Sequence, residues 1–120
     1  MGGNLIEYPG PICTASADLT TAKVLFNSVL STHKAKLLCL NIKNYYLGTP
    51  MDRYEYMKIH ISLIPENIIQ YYNLLAIMDE QGYVYIEIRK GMYGLPQAGR
   101  LAYDLLKKWL AIHGYSPCSH

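Results

Sequence analysis

Charge is scarce in this 120-residue chain. Only 17% of its residues are charged, and 11 basic against 9 acidic side chains leave a net charge of +2. So mild an excess does not by itself mark a nucleic-acid binder. Long hydrophobic runs are missing too. Stretches without a charge, such as Asn67 to Met78, last about a dozen residues and carry polar groups, which is too short and too polar to span a bilayer. The opening Met1-Gly2-Gly3-Asn4 lacks the basic start and apolar run of a signal peptide, so an intracellular location is expected. The three cysteines, Cys13, Cys39 and Cys118, are odd in number and far apart, which argues against a disulfide framework and against a zinc site. The four histidines, at 33, 60, 113 and 120, lack metal-ligand spacing, and no Ser-His-Asp or Cys-His constellation stands out. Gly91-Met92-Tyr93-Gly94 precedes a predicted helix, but it lacks the Lys-Ser/Thr of a P-loop and the third glycine of a dinucleotide fingerprint.

What remains is 51% hydrophobic, the composition of one ordinary globular unit. A domain of this size buries roughly two-thirds of its unfolded surface. Phenylalanine and tryptophan occur once each, whereas there are 12 tyrosines. A tyrosine packs through its ring and keeps a hydroxyl for water or a partner, so it suits half-buried sheet faces and polar clefts.

The elements alternate along the chain with no linker or repeat. Asn4 to Tyr8 reads as a short strand, closed by Pro9-Gly10-Pro11. Asp18 is the expected N-cap of a helix to Ser31, with Ala22, Leu25, Phe26, Val29 and Leu30 on one buried stripe. Lys36 to Ile42 is predicted as a strand covered on both faces, because Leu37-Leu38-Cys39-Leu40 is continuously apolar. A turn or short helix follows at 44–48. Tyr54 to Ile61 alternates strictly, with Tyr54, Tyr56, Lys58 and His60 on one face and Glu55, Met57, Ile59 and Ile61 on the other. Pro65 is placed to start a helix running to about Glu80 with Ile68, Ile69, Tyr72, Leu75 and Ala76 buried, and Gly82 breaks it. Tyr83 to Arg89 alternates again. Pro96 opens a long helix to His113 with Gly114 as its stop and an apolar side from Ala98 to Leu110 that includes Trp109. The predicted class is α+β, a mainly antiparallel sheet covered by helices. The helix start at Leu95-Pro96-Gln97-Ala98-Gly99 adds free backbone N–H groups, a small surface and a carboxamide able to bond a sugar or base edge.

Two segments carry a resemblance. Gly91-Met-Tyr-Gly-Leu-Pro-Gln-Ala-Gly-Arg-Leu-Ala-Tyr103 resembles the (L/M)YGLxQA motif of reverse transcriptases from copia-type retrotransposons. Leu38-Cys-Leu-Asn-Ile-Lys-Asn-Tyr-Tyr-Leu-Gly-Thr-Pro-Met51 resembles the same family's first catalytic segment, Asp-(Ile/Val)-Lys-x-(Phe/Tyr)-(Phe/Tyr)-Leu. The intervening 52–57 and 82–90 are similar as well, so the likeness covers about residues 4 to 117 in the expected order. It implies a truncated palm with part of the fingers, from the RNA-directed DNA polymerase (a nucleotidyltransferase) of a retrotransposon polyprotein. The implied cofactor is Mg²⁺. The implied partners are an RNA or DNA template-primer, deoxynucleotides and the rest of the polyprotein, with no membrane, in the cytoplasm or a particle. In the family two metal ions align the primer 3′-hydroxyl with the α-phosphate. Carried over residue by residue, Asn41 stands at the metal-binding Asp, the backbone carbonyl of Ile42 at a main-chain metal contact, Tyr46 at the aromatic gate on the sugar 2′ position, and Gln97 at the nucleotide-contacting glutamine.

Two departures bear on activity. The chain stops before the family's Asp-Asp hairpin, and Asn41 offers a neutral amide where a carboxylate must hold two dications. No Asp or Glu lies between Asp18 and Asp52 to stand in. As it stands the chain is therefore expected to be inactive and to hold no metal. A rival reading is a non-catalytic α+β module that binds single-stranded nucleic acid on Tyr54, Tyr56, Tyr83 and Tyr85. The Lys/Arg-Gly-aromatic signature of RNA-recognition sheets is missing from it.

Overall fold

Two alternating segments find each other in space. In the computed structural model, which describes residues 5–118, β1 (Pro50–His60) pairs antiparallel with β2 (Tyr83–Lys90) to form the sheet. The register runs from Glu55 opposite Ile88 to His60 opposite Tyr83, which keeps each face's residues together across the ribbon. Near the far end Pro50 opposes Lys90, so the five-residue step from Pro50 to Glu55 is matched by a two-residue step from Lys90 to Ile88. The three extra residues bulge. Within the bulge Met51 turns into the core, while Asp52 accepts the Tyr8 hydroxyl.

The connection between the strands is shorter in helix than the sequence suggests. Pro65 caps α2 (Glu66–Tyr71), which buries Ile69 and stops at Asn73. Asn73 adopts φ 50°, a left-handed conformation that asparagine tolerates and that a continuing helix forbids. A single 3₁₀ turn, Leu74–Ala76, replaces the helix expected as far as Glu80, and Ile68, Tyr72, Leu75 and Ala76 are exposed rather than buried. Asp79 then builds the turn into β2. Its Oδ1 accepts the backbone N–H groups of Gln81 (3.0 Å) and Tyr83 (2.8 Å). Gly82 completes the turn at φ 83°, where a Cβ would lie 2.7 Å from the His60 ring.

The helix α3 (Ala98–Ile112) packs its first turns on the α3-facing side of the ribbon. Ala98 and Ala102 are buried there, and Met51, Leu95 and Ala98 form the core with Ile6, Tyr46, Ile88, Met92 and Leu101 packed around them. Gly114, at φ 82°, follows its C-terminal end as expected. The apolar side is covered only along the first half. Trp109 is 61% exposed and Ile112 76%, so the predicted buried stripe does not extend to Trp109 and Leu110.

Three further expectations are corrected. The helix α1 (Leu19–Ser31) forms with Asp18 as N-cap, its carboxylate accepting the Thr21 N–H at 2.7 Å, but none of its residues is buried. The stripe has no surface to close on. Lys36 to Ile42 is not a strand: it runs as irregular chain with Leu38 and Leu40 exposed, because no strand among the described residues pairs with its backbone. Of the predicted strand Asn4–Tyr8, Asn4 lies outside the described residues, and 6–8 carry no strand although Ile6 packs on the core. The described residues thus form a small α+β fold with three helices and a two-stranded sheet. No helix among them is long and apolar enough to cross a membrane.

Candidate functional site

The end of the segment 40–49 is held against the chain leaving β2 by a close backbone crossing. Gly91 N–H donates to the Thr49 carbonyl at 2.8 Å, and Thr49 N–H donates to the Tyr46 carbonyl at 2.9 Å. A Cβ on Gly91 would meet that Tyr46 carbonyl oxygen at 2.6 Å, so only glycine lets the two backbones approach this closely. Thr49, almost wholly buried, locks the turn by donating its hydroxyl to the Tyr45 carbonyl at 3.0 Å. The turn in turn aims Tyr46 across the start of α3. Its hydroxyl comes within 3.3 Å of where a Cβ on Gly99 would be, so the small residue admits the ring.

Around Tyr46 lies an open cleft of about 360 Å³ lined by Leu40, Asn41, Ile42, Tyr45, Tyr93 and Leu106. The Tyr46 ring stands 4.8 Å from that of Tyr93 and 5.7 Å from that of Tyr45. Burial, helped by the neighbouring Tyr46 and Tyr103 hydroxyls, pushes the Tyr45 hydroxyl above its ordinary pKa and keeps it a neutral donor. Three of the predicted site residues, Asn41, Ile42 and Tyr46, therefore share one cleft, although the strand expected to carry the first two is absent.

Gln97 does not line that cleft. It is fully buried behind it, just before α3, and its Nε2 donates to Glu55 Oε1 at 3.0 Å. The same Glu55 oxygen accepts Arg53 Nη2 at 2.7 Å and Nε at 3.0 Å, and Arg53 also donates to the Glu7 carbonyl at 2.8 Å. The Gln97 Oε1 is buried without a hydrogen-bond partner among the described residues. Its carboxamide is committed to the hairpin rather than turned to a ligand.

No motif in the sequence marks Glu55, Gly91 or Tyr93 as a site residue. Glu55 carried a usable signal, a carboxylate on a strand face otherwise made of Met57, Ile59 and Ile61, which calls for a polar partner on the element packed above it.

The donors around Asn41 do not fit a pair of magnesium ions. Mg²⁺ asks for carboxylate or phosphate oxygens. The cleft offers an amide, the Ile42 peptide and tyrosine hydroxyls, with no carboxylate among its lining residues. Among the described residues no group of three or more His, Cys, Asp or Glu is placed to hold a metal ion.

Comparison with protein-family models, with curated proteins and with solved structures finds no match to this chain.

Proposed function

We propose that this chain is a fingers–palm portion of a copia-type reverse transcriptase domain, degenerate at its metal position and inactive as it stands. The reading rests on the two sequence motifs. The observation that supports it is their spatial junction. Tyr46 of the first motif lies over Gly99 of the second, and the Gly91–Thr49 hydrogen bond ties the segments together. Asn41 and Ile42 share the Tyr46 cleft, whereas Gln97, the fourth residue carried over, lies buried behind it. In this reading the cleft retains the shape of a site for a sugar and base, with Tyr45, Tyr46 and Tyr93 as its walls. The charge that would hold metal and triphosphate is gone. A palm architecture, a template-primer and deoxynucleotides belong to the same proposal, with Mg²⁺ the ion of the family and not one that this chain holds.

Primer extension on four proteins tests it: the native chain, Asn41→Asp, and each of these fused to an Asp-Asp hairpin with thumb and remaining fingers. Only the Asn41→Asp fusion is expected to extend a primer, because an amide cannot neutralise a position bridging two cations. Robust synthesis with Asn41 in place would sink the assignment of this position. No synthesis from any of the four would sink the family reading.

A further inference from the structure

The outer face of the hairpin, opposite the one that carries Glu55 and Ile88 against α3, holds a second surface that the cleft does not use. Cross-strand pairing places Tyr56 with Glu87, Lys58 with Tyr85 and His60 with Tyr83 on that face. Tyr54 joins them, with the Arg89 guanidinium 5.6 Å from its ring centroid. Three rings stand open to solvent: Tyr54 at 46% exposure, Tyr56 at 67% and Tyr85 at 64%. The Lys58 ammonium sits 4.5 Å from the Tyr83 centroid and 5.7 Å from that of Tyr85, between the rings rather than beyond them. The acidic groups here are already engaged. Glu87 accepts both the Tyr56 hydroxyl (2.8 Å) and Arg89 Nε (2.6 Å), and Asp79 lies 3.8 Å from Lys58 while capping its own turn. Both ion pairs are exposed and so hold their cations only weakly. His60 bonds Ser62 and edges onto Tyr83.

We propose that this face binds single-stranded nucleic acid, with bases stacked on Tyr54, Tyr56 and Tyr85 and phosphates met by Lys58 and Arg89. Flat rings alternating with cations complement a chain that alternates flat bases with anions. Stacking of this kind is sequence-tolerant because every base has a π-face. A duplex keeps its bases stacked inside and cannot use the rings. The proposal is independent of the reading of the cleft, since none of these residues lines it.

The test is fluorescence anisotropy of a labelled oligothymidylate of about a dozen nucleotides, the upper range for one small module. The full chain is titrated at low salt, beside a duplex of equal length. Micromolar binding to the single strand is expected, at least about tenfold tighter than to the duplex, with a log–log salt slope of about −0.7 per cation contact and hence about −1.4. The triple variant Tyr54→Leu/Tyr56→Leu/Tyr85→Leu keeps apolar bulk but no ring and should lose about tenfold or more. The corresponding Phe variant keeps the rings, should bind like the native chain, and controls for folding. Lys58→Gln/Arg89→Gln should flatten the salt slope. The proposal is overturned by no binding at low salt, by a Leu variant within twofold of native, by a Phe variant as weak as the Leu variant, or by equal affinity for duplex. A loss on Tyr46→Leu with the hairpin face intact would also overturn it, by placing the strand in the cleft.

Discussion

Glu55 and Gln97 show what one carboxylate does for a buried amide. Gln97 has no access to water and already leaves its Oε1 unpartnered, so its remaining hydrogen bond to Glu55 is what makes burial of the carboxamide tolerable. Replacing Glu55 by Ala strands the whole group. The expected loss is about 1–3 kcal/mol, read as a lower denaturant midpoint. Arg53→Ala removes only the half-exposed partner and should cost no more than about 1 kcal/mol. Equal losses from the two variants would show that Gln97 does not depend on Glu55. Gly91 makes a sharper case. Its Cβ in Gly91→Ala would collide with the Tyr46 carbonyl at 2.6 Å, and backbone cannot rotate aside as a side chain can. A destabilisation of about 1–3 kcal/mol is expected, with loosening of the 44–49 turn visible as faster amide exchange there.

Between residues and the molecule, the turn at Asp79 carries a pH signature. Two backbone N–H donors, with Tyr83 the stronger influence, hold the Asp79 carboxyl below its ordinary value of 3.8, and Lys58 adds to the effect. At Glu87 the Arg89 guanidinium comes first and the Tyr56 hydroxyl second, again lowering the pKa. Groups depressed in the folded state contribute stability that is fully present above their unfolded pKa and is lost as pH falls through the folded one. The hairpin should therefore keep its melting temperature from neutrality down to about pH 5 and lose it progressively below about pH 4. In Asp79→Asn part of that acid loss should vanish, because an amide cannot be protonated there. An unchanged acid profile in Asp79→Asn would remove Asp79 from the account.

The elements themselves divide by how local their determinants are. Both hairpin strands, α3 with its Gly114 stop, and the Asp18 cap were legible because period-2 alternation and capping chemistry act within a few residues. The strand at 36–42 was not, since an apolar run says that cover is needed without saying whether a partner strand exists. Likewise, the periodicity of Ile68, Ile69, Tyr72 and Leu75 favoured a helix that Asn73 interrupts in a left-handed conformation. At the site, Asn41, Ile42 and Tyr46 were named only through the resemblance of their segment, and closeness in sequence brings them to one cleft. The Glu55–Gln97 bond spans 42 residues and depends on a register that no local pattern fixes.

Over the whole molecule, apolar surface outruns the core. Leu25, Phe26, Leu38, Leu40, Trp109 and Ile112 are all exposed, and among the described residues the two-stranded sheet leaves an unpaired edge on each strand. Self-association is therefore expected, as a sedimentation coefficient that rises with concentration, together with strong binding of a hydrophobic dye. A concentration-independent monomer with a sharp, high melting transition would contradict it. The helix α1, 13 residues long with nothing buried, sits near the length at which isolated helices are marginal. Its amides should exchange far faster than those of β1, β2 and the first half of α3. The molecule is also elongated. The structure measures 67 × 30 × 26 Å with a radius of gyration of 20.2 Å, against about 13–14 Å for a sphere-like chain of this length. Friction follows the long axis, so even a single copy should elute from a sizing column ahead of its 13.7 kDa mass and tumble slowly about its short axes. An early peak would then reflect shape as much as stoichiometry, and only equilibrium sedimentation, which is blind to drag, tells one long molecule from two.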